Sequence, residues 1–260
     1  MPDPRGGARA DGQPLSMTTP RIFCEQRLGP GAQFSLDAAA AQHVGKALRL
    51  RAGDTLVVFD GTGGEYAAVI QRMDRERVDV KVGVFRPDEP APGFAVGLIQ
   101  GLPEADKMDW ILQKATELGV AWVQPVVCER SVVRLSGERA AKRQAHWQRV
   151  VIAACEQSGR TRIPEVRPTL GLRDWASAPS AARRWVLLPD AEEALVAQSA
   201  PKGDVELLVG PEGGLSEREI DVATHVGFRP LSLGPRVLRT ETAPLAALAA
   251  IQSLWGDFRR

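Results

Sequence analysis

Three cysteines, three histidines and one tyrosine are all that 260 residues contain, and each scarcity removes a class of function. Cys24, Cys128 and Cys155 are far apart and odd in number, which argues against a disulfide framework or a zinc site and favours reduced cytosolic thiols. His43, His146 and His225 show no ligand spacing, so no metal centre is expected. No apolar run approaches the ~20 residues of a membrane span, and the first nineteen residues lack the apolar core of a secretory signal. Neither charge dominates: 33 Lys and Arg against 32 Asp and Glu leave +1, which by itself does not mark a nucleic-acid binder. No internal repeat is present.

What is present is a soluble globular composition, 44% hydrophobic and 25% charged, enough to fill the cores of one or two domains. The stretch from Leu207 to Trp255 carries most of the functional signal. VELLVG reads as a strand buried on both faces, ended by Gly210, and GPEGG can only be a tight loop at its carboxyl end. Ser216 and Glu219 have the spacing of a capping box, flanked by Leu215 and Ile220 as a hydrophobic staple, and Gly227 stops that helix. PLSLG then enters a second loop, GPRVLRTET. A last helix starts between Thr240 and Thr242, because Pro244 fits only in a first helical turn.

In open α/β sheets ligands bind beyond the carboxyl ends of strands, where glycines let them touch the backbone. GPEGG lacks the Lys-Ser/Thr of a P-loop, neither loop matches G-x-G-x-x-G, and Glu212 opposes a polyphosphate. The loops are therefore either ordinary turns or a site for a ligand such as adenosine joined to something uncharged or cationic.

Residues 1–19, rich in Pro, Gly and charge, read as a disordered extension, with Met1 or Met17 as the start. Residues 20–86 are strand-rich (RIFCE, TLVVFD, EYAAVI, RVDVKVGVF), with GTGG as a hairpin turn. They are interrupted by one helix, LDAAAAQHVGKALRL, whose His43, Lys46 and Arg49 share a face by spacing, with Arg51 just beyond. Residues 87–94 form a proline-rich linker. Residues 95–260 alternate strands and helices: FAVGLIQ, KMDWILQKATELG, WVQPVVCERSVV, then RAAKRQAHWQRVVIAACEQ burying Trp147, Val150, Val151 and Ala154. WVLLP, a helix through AEEALVAQ and the closing stretch follow, and this order implies a parallel sheet.

LLVGPEGGLSEREI and LSLGPRVLRTETA, with GLPEADKMDWILQKATELGV, ERSVV and AACEQSGRTRIPEV upstream, resemble the RsmE family of ribosomal RNA uracil-N3 methyltransferases in the SPOUT superfamily, from Pro20 to Asp257. The resemblance implies a C-terminal SPOUT α/β domain with a deep trefoil knot and parallel sheet, plus a small N-terminal PUA-like β-barrel. It implies S-adenosylmethionine bound by Leu188, Pro189, Gly210, Pro211, Glu212, Gly213, Gly214, Leu233, Gly234, Val237, Leu238, Thr242 and Ala243. The implied partner is ribosomal RNA or the small ribosomal subunit, with uracil 1498 of 16S RNA as the family target, and the implied form is a cytoplasmic homodimer needing neither metal nor membrane. A knotted methyltransferase for another RNA, such as transfer RNA ribose, and a non-catalytic RNA-binding module are the alternatives.

Chemistry and charge add residue roles. A sulfonium methyl is already electrophilic, but a uracil imide nitrogen is protonated at neutral pH, so the site needs a base or cations that stabilise the developing charge. Arg236 and Arg239 suit the second role, and Glu241 would orient an arginine or accept the proton. Residues 128–167 hold nine Lys and Arg against four Glu. Within this basic stripe Arg130, Arg160 and Arg162 stand at element ends in matching segments, joining His43, Lys46, Arg49 and Arg51 as expected RNA contacts.

Overall fold

The computed structural model describes residues 19–74, 77–87, 93–104, 106–177 and 179–259. The expected extension before Thr19, both candidate starts, and the linker between Pro87 and Gly93 lie outside the described residues. The chain divides into two compact units, one comprising residues up to Asp60 with Glu65–Arg86, the other Gly61–Gly64 with Pro87 onward.

In the first unit β1 (Arg21–Phe23), β2 (Gln33–Ser35), β3 (Thr55–Phe59), β4 (Glu65–Met73) and β5 (Val78–Arg86) form one sheet in the order β1-β3-β4-β5-β2. Only β1 and β3 run parallel. The alternation in β5 places Val78, Val80 and Val82 in a core shared with Ile22, Leu56 and Ile70. The three-residue strand β2 is too short to carry a visible period.

The helix expected between these strands is shorter than its sequence suggests. Asp37 caps α1 (Ala38–Gln42) by accepting from Ala40 N at 2.8 Å. The chain then widens into a π-helical turn, His43–Ala47, that buries Val44. Arg49 lies outside any helix, with a left-handed φ of 55°. The shared face inferred for His43, Lys46 and Arg49 from a 3.6-residue period therefore does not exist as such, although all three side chains are exposed.

The second unit is a parallel α/β sheet. Its strands are β6 (Val96–Gly101), β7 (Trp122–Val127), β8 (Glu165–Val166), β9 (Leu170–Gly171), β10 (Arg183–Leu187), β11 (Val205–Val209) and β12 (Arg229–Leu231). They follow the order β12-β10-β11-β6-β7-β8, with β9 also on β7 and every pairing parallel. All residues of β6 and β11 are buried, which is why both are mostly apolar, with Gln100 and Glu206 as the polar exceptions. The helices are α2 (Lys107–Glu117), α3 (Gly137–Ser158), α4 (Leu172–Ala176), α5 (Glu217–His225) and α6 (Ala243–Trp255).

Met108, Ile111, Leu112 and Ala115 form the buried stripe of α2, and Gly119 closes it at φ 85°. α3 buries Trp147, Val151, Ala154 and Cys155, whereas Val150 is only half-buried. The capping box of α5 is complete: Ser216 Oγ accepts from Glu219 N at 3.2 Å, and Glu219 Oε2 accepts from Ser216 N at 2.9 Å. At the far end of α6, Gln252, 2% exposed, donates to Leu118 O and accepts from Asp257 N, both at 3.2 Å, so α6 is fastened to the end of α2.

The helix expected through AEEALVAQ is absent except for one 3₁₀ turn, Leu195–Ala197. Leu195 N donates to Ser232 O and Ser232 N donates to Glu193 O, so pairing beyond β12 takes the backbone groups that a helix would need. No helix among the described residues is long and apolar enough to cross a membrane.

Candidate active site

A cavity of about 410 Å³ lies where β10, β11 and β12 reach their carboxyl ends. Its floor is leucine-rich, from Leu187, Leu188 and Leu231, and its walls are the two Gly-Pro loops.

The first loop leaves β11 at Gly210 and is closed by Gly214 N donating to Pro211 O at 2.8 Å, with Gly214 at φ 70°. It is packed so closely that a Cβ on Gly101, at the end of β6, would stand 2.6 Å from the Pro211 ring. A Cβ on Gly213 would meet Arg130 Cβ at 3.0 Å, and Arg130 Nη1 donates to Gly213 O at 3.0 Å. The second loop follows β12 and turns at Gly234, φ 94°, where a Cβ would meet nothing within 4 Å. It ends as Thr242 N and Ala243 N both donate to Arg239 O at 2.9 Å, which starts α6.

One hydroxyl joins the loops. Thr240 Oγ1 donates to Gly210 O at 2.7 Å and accepts from Gln100 Nε2 at 3.1 Å. Gln100 is fully buried in β6 and its Nε2 also donates to Gly101 O at 3.0 Å. A second fastening comes from α2: Lys107 Nζ donates to Glu212 Oε1 at 2.6 Å, and Glu104 N donates to the same oxygen at 3.0 Å. Burial pushes the Glu212 carboxyl up, but the hydrogen bonds from Lys107 and the backbone outweigh it and hold it below the ordinary carboxylate range. The Glu212 hydrogen bond correspondingly raises Lys107.

All three residues expected to act in chemistry, Arg236, Arg239 and Glu241, line this cavity. Eleven of the thirteen expected cofactor positions line it too; Gly213 and Thr242 do not. Glu241 Oε2 is buried and has no hydrogen-bond partner among the described residues. Lys107 and Thr240 were missed by sequence reasoning. Lys107 carried a faint signal, because a lysine in the first turn of a helix opposes the helix dipole unless an acid lies nearby.

The expected RNA contacts divide into two groups. His43, Lys46, Arg49 and Arg51 are exposed on the first unit. In the second unit the arginines are engaged with backbone: Arg160 Nη1 donates to Thr116 O at 2.9 Å and Val120 O at 2.8 Å, and Arg162 Nη1 to Thr62 O at 2.8 Å. Cys128 is 1% exposed, and burial pushes its thiol up to about 12, so it is no nucleophile at neutral pH.

The site is thus a backbone-lined cleft at the ends of a parallel sheet, beside a cationic loop, and the comparisons with known proteins give the class of the chain that carries it. The class is that of the RNA methyltransferases: residues 89–252 match the model described as RNA methyltransferase domain, and residues 36–83 that described as RNA methyltransferase PUA domain. The ribosomal RNA small subunit methyltransferase E of Bacillus subtilis is 32% identical over 243 residues, covering 89% of this chain and 95% of that protein. The crystal structure of the enzyme of that name from Neisseria gonorrhoeae, bound to S-adenosyl methionine, is 38% identical with a TM-score of 0.86, over 92% of this chain and 99% of that one. A Legionella pneumophila structure in complex with the cofactor SAM is 37% identical with a TM-score of 0.87, over 92% and 99%. The chain belongs to the ribosomal RNA small subunit methyltransferase E family.

Proposed function

We propose that this chain binds S-adenosylmethionine in the cleft between its Gly-Pro loops and methylates the N3 of one uridine in 16S ribosomal RNA, the position being the family's uracil 1498. The observation that carries the reading is the merging of both loops into one cavity of about 410 Å³. That is the size of a small-molecule site, with exposed loop backbone for polar recognition and leucines for an apolar face. The left-handed Gly234, open on the side a Cβ would occupy, lets a ligand approach the second loop directly.

Bound there, S-adenosylmethionine supplies an electrophilic methyl, with no metal or covalent intermediate required. The chain's own residues act on the acceptor. Arg239, assisted by Arg236, stabilises the negative charge that spreads over the imide as N3 loses its proton. Glu241, a residue of the cavity lining, orients an arginine or takes that proton. Lys107 holds Glu212 and so fixes the first loop. His43, Lys46, Arg49 and Arg51 hold RNA through phosphates. The enzyme works as a cytoplasmic homodimer, as its superfamily resemblance implies.

Two measurements test this reading. Calorimetry of the full chain should show stoichiometric S-adenosylmethionine binding without added metal. Nucleoside analysis of 16S RNA from a strain lacking the gene should show loss of N3-methyluridine, restored by the gene. Unchanged N3-methyluridine would move the activity to another RNA.

A further inference from the structure

Of the basic stripe in residues 128–167, the arginines at element ends are held by backbone carbonyls, as described for Arg130, Arg160 and Arg162. The cations of α3 are not so held. Arg139 and Arg149 are exposed and make no hydrogen bond or ion pair with the described residues. Lys142 reaches only Glu138, at 3.9 Å, with the two side chains 83% and 93% exposed.

Their placement is one-sided. At about 100° per residue, Arg139, Lys142 and Arg149 fall within an arc of about 80°. That arc turns away from the buried row of Trp147, Val151, Ala154 and Cys155. From Arg139 to Arg149 the stripe is about 15 Å long at 1.5 Å per residue.

We propose that this face of α3 is a phosphate-binding surface along which the second unit holds the backbone of its RNA substrate. The inference rests on the RNA-methyltransferase reading above and reassigns the second unit's RNA contacts from Arg130, Arg160 and Arg162 to α3. A stripe of exposed cations that no backbone carbonyl among the described residues holds neutralises phosphates and releases their counterions. The guanidiniums of Arg160 and Arg162 already commit Nη1 to internal carbonyls, which fixes their orientation and leaves fewer donors for a phosphate. The stripe positions RNA without reading its sequence, so it changes affinity and leaves the choice of uridine to the cleft.

The test uses the full chain, with small ribosomal subunits from the deletion strain as the probe. The triple variant Arg139→Gln, Lys142→Gln, Arg149→Gln should bind S-adenosylmethionine as the parent does, which also shows that it folds. At roughly 0.7 per lost phosphate contact, its slope of log K against log salt should be shallower by about 2 units. Over one decade, from 1 M to 0.1 M salt, that is about 100-fold weaker RNA binding. The pair Lys202→Gln with Arg218→Gln, exposed cations far along the chain, should change neither quantity. The inference is overturned if the triple variant keeps the parent's affinity and slope, or if the control pair loses affinity to the same degree. Failure of the parent itself to bind the subunits would instead overturn the functional reading.

Discussion

Replacing Thr240 by valine removes one hydroxyl and keeps the shape of the side chain, so its consequences isolate what joins the two Gly-Pro loops. In the parent that hydroxyl gives a hydrogen to Gly210 O and receives one from the fully buried Gln100. Thr240 is 7% exposed, so water cannot readily replace either bond. Each neutral hydrogen bond contributes about 1 kcal/mol, and an acceptor left buried and unpaired costs about 1–3 kcal/mol. Gln100 keeps a second acceptor in Gly101 O, which limits the total to about 2 kcal/mol. If Thr240 is a positioning residue for the cleft, that loss falls on the relative placement of the loops. S-adenosylmethionine should then bind about 30-fold more weakly, at 1.4 kcal/mol per tenfold. Thr240→Ser restores the hydroxyl and should stay within about 3-fold of the parent. Calorimetry with parallel melting curves decides the matter. A valine variant that melts about 4–8 °C lower but binds the cofactor normally would refute the reasoning, because the bonds would then serve the fold at large.

Three further outcomes follow from the cleft and the first unit. Arg239→Ala should leave cofactor affinity within a few-fold and lower the single-turnover methylation rate about 100-fold, as expected for loss of a preorganised charge stabiliser; a normal rate would confine Arg239 to starting α6. Lys46→Ala with Arg49→Ala should weaken RNA binding and reduce the salt slope by about 1–2 units while cofactor binding holds; the parent's slope in that variant would make those cations bystanders. The lowered Glu212 carboxyl and raised Lys107 give the loop fastening a defined pH range. It is present above the ordinary carboxylate range, is lost as pH falls through the lowered Glu212 value, and is lost in alkali as pH rises through the raised Lys107 value. Cofactor affinity of Glu212→Gln should therefore be weaker than the parent's at pH 7, and the difference should shrink as acid protonates Glu212 in the parent, a titration followed directly by NMR; a gap that stays constant across that titration would contradict this.

Much of the cleft was legible because its walls are continuous in sequence. Strand β11, Gly210, the Ser216–Glu219 box and Pro244 each follow a local rule, and together they place both loops at strand ends. What escaped was non-local. Thr240 looks like a cap residue until Gln100, 140 positions away, supplies its partner. The helix expected through AEEALVAQ failed because Ser232, far downstream, competes for its backbone. In the first unit a π-helical turn shifted the period on which the basic face depended. Nothing in charge spacing could tell Arg160, bonded to carbonyls of α2 and the loop after it, from Arg149, which is exposed on α3 and has no partner among the described residues.

Helix α6 starts at the cleft and runs about 20 Å, at 1.5 Å per residue, to the place where Gln252 grips the end of α2. α2 in turn begins at the cleft with Lys107, which holds Glu212. The two helices thus form a frame with one corner fastened by Gln252 and the opposite side bordering the cleft. Trimming the last few residues, Asp257 among them, would loosen that corner, since Asp257 N is one of the donors fixing the Gln252 amide. Asp257 and the walls of the cleft are in this sense linked through two helices.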